Sequence, residues 1–404
     1  MNTKNGSLYL TIMVSALGYL VDVYDIMIFT AVRVPSLVDI GIPQSELLQT
    51  GLSILNWQLV GMLLGGLFWG VIGDRKGRLT VLFGSIFLYS TASLLNVFVT
   101  TSSQYIALRF IAGFGLAGEL GAGVTLVSEL LPIRWRGYGT MLIASIGVIG
   151  GILAGLMGQY AHWKTCYLLG GILGLSLLFI RVQVVESGIF QKLSPHKLRQ
   201  GDLTHLLFNA KLLKRYLACL FLAVPAWIVM GLFTTLAPEI SYDINPSQTL
   251  TSASALFYMS LGLGLGDFSS SWLSQQLHSR KKILVLFISI MFFLTLVFSL
   301  GLIKTANSLL TLYFCFGLGA GYWAVFMMAV AEQFGTNLRA TVTVSIPNFV
   351  RAMGVPLTFA IEFLRGKIGL NPTMSILLFA MSAIALFSVK SLNETFHKDL
   401  DFVS

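Results

Sequence analysis

Asp22, Asp25, Arg109, Glu119 and Arg351 stand inside long apolar stretches of this 404-residue chain. At bilayer depth such a side chain costs about 2.5–3.5 kcal/mol on insertion scales, so it faces a cavity or a partner. Asp22 and Asp25 are three residues apart and share roughly one helical face. Arg109 and Glu119 are ten apart, about 15 Å of helical rise. A buried carboxylate binds or releases its proton according to hydration and neighbouring charge, so the chemistry on offer is proton carriage. Asp22 has an alternative, holding a cationic part of a substrate, and Glu119 shares that ambiguity. Arg351 follows Pro347 and Asn348 and precedes Gly354 and Pro356. Its planar fork suits a substrate carboxylate; the plainer reading pairs it with Asp267 or Glu362.

The remaining candidates are polar and aromatic. Tyr24, Asn56, Trp57, Gln58, Trp227, Tyr322, Trp323 and Asn348 fall at similar depth in their apolar runs. Aromatic residues in such runs more often pack or anchor at the interface than bind ligands. Trp57-Gln58 and Tyr322-Trp323 pair an aromatic with polarity or with a glycine-rich face. His162, His196, His205, His278 and His397 all fall in loops or at the ends of apolar runs, so proton work would rest on carboxylates. No His-Asp, Ser-His or metal-ligand cluster is evident, which argues against an enzyme, a metal site or a cofactor. Cys166, Cys219 and Cys315 are isolated and offer no disulfide framework.

These residues need a membrane scaffold. The chain is 55% hydrophobic and 11% charged, with mean hydropathy +0.81, whereas a soluble domain carries about 25% charged residues. Its net charge of +9 sits in short clusters between apolar runs, a topology signal rather than a nucleic-acid surface. About 20 apolar residues cross the hydrocarbon layer. Twelve spans follow: 8–34, 47–72, 79–99, 103–131, 138–160, 163–181, 213–240, 249–277, 283–303, 306–331, 341–366 and 371–390. The first is too long for a signal-peptide core, and it carries Asp22 and Asp25. With the N-terminus inside, cytoplasmic segments hold 19 Lys and Arg and outer segments five, which puts both termini in the cytoplasm.

The chain also repeats itself. Glu129-Leu-Leu-Pro132-Ile-Arg-Trp-Arg136-Gly137 returns 203 residues later as Glu332-Gln-Phe-Gly335-Thr-Asn-Leu-Arg339-Ala340. The basic loop Asp74–Arg78 is echoed 202 residues on, at Gln276–Lys282. Two copies of one hydrophobic unit predict a secondary transporter with its site between the halves. The expected organisation is an N-terminal six-helix bundle over 1–181, a cytoplasmic linker over 182–212 and a C-terminal bundle with a short tail over 213–404.

Gly70-Val-Ile-Gly-Asp74-Arg75-Lys76-Gly77-Arg78 closely resembles the loop motif of the major facilitator superfamily, with Leu79 where a final basic residue is usual. Arg109-Phe-Ile-Ala-Gly113-Phe-Gly115-Leu-Ala-Gly118, then Glu129 and Arg136-Gly137, resemble that family's fourth-span pattern. Within it, Val21-Asp22-Val-Tyr24-Asp25 and Gly118-Glu119 are similar to proton-coupled metabolite and organic-acid symporters. The span-five pattern of drug antiporters lacks its proline at Gly147-Val-Ile-Gly150-Gly151.

The resemblance implies an all-α integral membrane protein of twelve helices in two pseudo-symmetric bundles, with spans one and four lining a central cavity. It implies that Asp25 pairs with Arg109 and that protonating Asp25 releases the arginine. Asp74, Arg75, Arg78, Glu129, Arg136, Glu332 and Arg339 are expected to gate the cytoplasmic side. The second loop lacks the aspartate and is expected to gate more weakly. The expectation is a monomeric inner-membrane carrier that needs no cofactor beyond the proton motive force. It would import a small anionic or zwitterionic metabolite: an organic acid, an amino acid or betaine, or a carboxylate siderophore. A proton-antiport exporter and a sugar-type symporter are the alternatives; its partners are substrate, protons and lipid.

Overall fold

The computed structural model of the chain describes residues 3–119, 133–186, 206, 208–335 and 338–396. The first half contains α1 (Thr3–Asp39), α2 (Leu47–Lys76), α3 (Arg78–Asn96), α4 (Ser102–Leu116), α5 (Ile133–Tyr160) and α6 (Trp163–Glu186). In the second half α7 (Ala210–Trp227) passes through a π-helical turn (Ile228–Phe233) to α8 (Ala237–Ile244). Then follow α9 (Ser252–Gln276), α10 (Arg280–Ser299), α11 (Ala306–Ala320), α12 (Trp323–Gln333), α13 (Arg339–Ala352), α14 (Gly354–Ile368) and α15 (Leu370–Ser391). There is no strand among the described residues. Helix starts follow side-chain chemistry: Thr101, Asn209, Thr251, Ser279 and Thr305 accept first-turn N–H groups of α4, α7, α9, α10 and α11.

Each expected span has its helix, but spans seven, ten and eleven are each built of two pieces. Span seven winds wide over Ile228–Phe233, where the Thr235 hydroxyl donates to the Gly231 carbonyl at 2.6 Å. Span ten breaks at Gly321 and Tyr322, and span eleven at Met353, three residues before Pro356. A proline has no N–H for the carbonyl one turn back, so the ladder is interrupted there. Nine stretches among the described residues are long and apolar enough to cross a membrane. The shorter apolar α3, the Gly- and Ser-rich α9, and α4, whose span runs beyond the described residues, account for the others. Large apolar side chains such as Phe179, Phe293 and Phe387 face outward from their helices, as lipid contact requires.

The repeat is visible as packing. In the first half α2 packs on α4, α3 on α6 and α1 on α5; in the second α9 packs on α11, α10 on α15 and α7 on α13. Between the halves α5 packs on α9 and α2 on α13, two contacts that exchange when the halves are swapped. Even the closest approaches are duplicated. A Cβ on Gly61 would lie 2.2 Å from the Phe110 carbonyl oxygen and one on Gly65 2.3 Å from that of Phe114. A Cβ on Gly262 would lie 1.9 Å from the Phe314 oxygen and one on Gly266 2.3 Å from that of Leu318. Small residues thus bring helix backbones into direct contact, where lipid supplies little hydrophobic drive for association.

Gly317 tests this packing, since a Cβ there would lie 2.0 Å from the Met259 carbonyl oxygen. Gly317→Ala should destabilise the detergent-solubilised protein by about 1–3 kcal/mol, the usual scale of overpacking. A thermal unfolding series would show it as a lowered Tm. Gly366→Ala, at a position with nothing within 4 Å, should leave Tm unchanged or slightly raised.

Candidate functional site

Span eleven brings Arg351 to the seam between the halves, where it is 3% exposed. Its guanidinium carbon lies 5.9 Å from the Trp227 ring centre and 5.8 Å from that of Trp323. One terminal nitrogen donates to Asn348 Oδ1 at 3.3 Å, while Arg351 Nε and Trp227 Nε1 are buried without a hydrogen-bond partner among the described residues. Asn348 is fixed in turn, donating to the carbonyls of Val344 (2.7 Å) and of Ala117 in the first half (2.8 Å). Tyr19 of α1 lies within electrostatic range of Arg351, Asp22 and Asp267 and next to Trp323. The stripe Tyr19, Asp22, Ile26, Thr30, Arg33 follows helical spacing, and its outer members bond to the second half. Thr30 meets Thr235 at 3.1 Å, and Arg33 grips both Glu239 carboxylate oxygens at 2.6 and 2.8 Å. Arg351 makes no ion pair with Asp267 or Glu362: Asp267 accepts the backbone N–H of Ala324 at 3.2 Å, and Glu362 is exposed.

Asp25 points elsewhere. Its Oδ2 lies 3.3 Å from Arg109 Nη2, both side chains are fully buried, and Ser93 Oγ donates to Oδ1. Arg109 also donates to the Asp25 carbonyl at 3.4 Å, and its guanidinium sits 5.1 Å from the Tyr167 ring centre. Tyr167 and Tyr105 share a 2.7 Å hydrogen bond, and Tyr105 donates to Ser36 at 3.1 Å. This charged centre therefore lies within the first bundle, among α1, α3, α4 and α6. Asp22 and Asp25, three residues apart, have different surroundings.

Of the other candidates, Tyr24 donates to the Cys166 carbonyl and Tyr322 to the Leu222 carbonyl, each at 2.8 Å. Gln58 is buried and donates to the Ile26 carbonyl at 3.4 Å. Trp57 is 48% exposed and packs on Phe110, away from Arg351. Glu119 is buried near the end of the described part of span four. Tyr19 and the Arg33–Glu239 latch were not singled out from sequence.

Of the expected gating residues, Glu129 lies outside the described residues. Asp74, Arg78 and Arg136 are placed on helices without a description of their side chains, and Arg75 is exposed. The second half is better defined. Arg280 pairs with Glu332 at 3.2 Å, and Glu332 accepts from Thr395 at 2.8 Å. Arg339 donates to the carbonyls of Ala331 (3.2 Å) and Phe334 (3.4 Å). The carboxylate missing from the second loop comes from the C-terminal segment. Glu394 accepts from Ser279 Oγ and from the backbone N–H groups of Arg280 (3.0 Å) and Lys281 (3.2 Å), at the start of α10.

Partial burial alone would raise the Glu394 carboxyl, but the Ser279 hydroxyl and these N–H groups hold it below the usual carboxylate range. A depressed folded-state pKa stabilises above the unfolded value and is lost as pH falls through the folded one. The Tm difference between the native protein and Glu394→Gln should therefore be full at neutral pH and shrink as pH drops below the ordinary carboxylate range. Tm measured against pH for both proteins checks it.

The chain resembles known proteins over most of its length. It is 28% identical over 358 residues to the putative niacin/nicotinamide transporter NiaP of Bacillus subtilis, covering 85% of each chain. It is 33% identical over 134 residues to the 4-hydroxybenzoate transporter PcaK of Pseudomonas aeruginosa, 31% of this chain and 29% of that one. Its fold matches that of the proton:xylose symporter XylE, bound to 6-bromo-6-deoxy-D-glucose, with TM-score 0.73, 16% identity and 98% coverage of both chains. The family model of the Major Facilitator Superfamily matches residues 15–358. With twelve spans, two interchangeable halves and buried charge at their seam, the chain is a multi-pass membrane transporter belonging to the major facilitator superfamily.

Proposed function

We propose that this transporter imports a small aromatic carboxylic acid together with protons across the inner membrane, with both termini in the cytoplasm. The observation that carries the reading is Arg351, buried at the seam between two indole rings, with Nε and the neighbouring Trp227 N–H free to donate. A guanidinium takes a carboxylate through two parallel hydrogen bonds. Indole faces a few ångströms away favour a flat ring over a flexible chain. An aliphatic amino acid would leave those faces largely unused. The names of the relatives agree: one is a putative niacin/nicotinamide transporter, another a 4-hydroxybenzoate transporter.

Proton coupling falls to Asp25 and Arg109. Protonating Asp25 removes the charge that holds Arg109, leaving the arginine to seek other partners among Tyr167, Tyr105 and the α1 backbone. Because α1 also carries Tyr19, Asp22, Thr30 and Arg33, an adjustment at Asp25 is transmitted to the seam and to the outer latch. The proton site and the substrate anchor then belong to different halves, and relative movement of the halves links them.

Uptake of labelled nicotinate and 4-hydroxybenzoate into proteoliposomes under an imposed pH gradient tests this. Arg351→Ala should raise KM about tenfold or more, the cost of one charge-assisted contact, with Arg351→Lys in between; unchanged kinetics would remove Arg351 from the site. Asp25→Asn should abolish accumulation against a gradient while leaving counterflow exchange. Full proton-driven accumulation by that variant would reject the coupling role.

A further inference from the structure

Asp267 is a fully buried carboxylate in the middle of α9, and the function proposed above does not use it. It lies where α9 meets the break in span ten. The two helices approach through glycine: a Cβ on Gly321 would lie 2.4 Å from Gly266 backbone atoms, next to Asp267. At the break Gly321 and Tyr322 leave helical geometry, with φ/ψ of −74/55° and −121/17°. The first N–H groups of α12 therefore have no acceptor within their own helix. Asp267 supplies one, its Oδ1 accepting from Ala324 at 3.2 Å with Trp323 N–H beside it. From the other side the Tyr322 hydroxyl is anchored to the Leu222 carbonyl of α7 at 2.8 Å. Trp323, the first residue of α12, thus leaves the break in one fixed direction, over Arg351.

The repeat supplies an independent argument. Offsets of 201 residues along spans two and eight, and of 204 along spans four and ten, superpose Gly61 on Gly262, Gly65 on Gly266 and Gly113 on Gly317. By the same offsets Gly66 stands where Asp267 stands, and span four leaves its helix after Leu116 as span ten does after Ala320. Span four carries a buried carboxylate of its own, Glu119, but the position that matches Asp267 holds Gly66, so the two halves differ at the Asp267 carboxylate. Helix packing does not demand that carboxylate, since Gly66 occupies the position in the other half; what the second half adds at the break is an indole facing the site.

We propose that Asp267 is a positioning residue of the substrate site, its carboxylate fixing the start of α12 so that the Trp323 indole stands over Arg351. The proposal rests on the reading of Arg351 and the two indoles as the substrate anchor. What matters is an acceptor oxygen at one place, whatever its charge. Asparagine is as good a helix cap as aspartate, whereas glutamate keeps the charge and moves the oxygen by one methylene.

Two readouts on full-length protein in detergent decide it. Equilibrium binding of nicotinate and 4-hydroxybenzoate should weaken about tenfold for Asp267→Glu, the scale of losing one helix cap, and stay within about threefold for Asp267→Asn. Without ligand, the fluorescence contributed by Trp323, taken as the difference made by adding Trp323→Phe to each background, should shift for Asp267→Glu and not for Asp267→Asn. Equal damage from both variants would overturn the proposal in favour of a charge role. So would native binding and an unshifted Trp323 signal in Asp267→Glu. If the native protein binds neither acid, the substrate reading fails, and the ligand-free fluorescence comparison alone still decides the role of Asp267.

Discussion

Every charged or strongly polar side chain inside the hydrocarbon layer must find a partner within the protein, because the lipid offers none. That constraint organises this molecule. It draws Asp25 and Arg109 together with Ser93 inside the first bundle, and seats Arg351 between two indoles at the seam. It also engages Asp267 with the broken end of span ten and closes the outer edge with Arg33 on Glu239. Each arrangement joins helices distant in the chain, and the last joins the two halves.

The constraint acts on two kinds of interface. Within each half, α2 with α4 and α9 with α11 meet backbone to backbone through glycine, leaving no side chain to rearrange. Between the halves one approach also runs through glycine, where a Cβ on Gly155 would lie 2.8 Å from the Phe257 backbone, but polar side chains meet there as well: Thr30 with Thr235, Asn56 with Thr358, and Asn348 with the Ala117 carbonyl. Hydroxyl and amide contacts of this kind can exchange partners as the surfaces move. The polar side chains of the seam are the part of it that can change without loss of backbone packing.

Much of this was legible beforehand. The spans, the repeat and the buried charges follow from hydropathy and spacing, because a membrane enforces long apolar helices and makes every intramembrane charge conspicuous. The proximity of Asp25 and Arg109 also agrees with what the family resemblance implies. Side-chain direction was less legible. Asp22 and Asp25 share a face by spacing, yet some 60° of helical rotation separates the seam from the bundle interior. Trp57 and Trp323 look alike in sequence, each beside a polar or aromatic neighbour, but one faces outward and the other the seam. The break in span ten is held by tertiary partners, Asp267 and Leu222, which local sequence does not announce, whereas that in span eleven follows from Pro356. The role of Glu394 was hidden for the same reason, its partners lying more than a hundred positions away.

The outer latch has a consequence of its own. Arg33 is wholly sealed while Glu239 is about a quarter open to the outside. The clasp is reached from solvent through Glu239, and it ties α1 to α8 across the two halves. Because α1 also carries Tyr19 and Asp25, the clasp, the buried proton-binding carboxylate and the seam share one helix, and none of them can shift without the others feeling it.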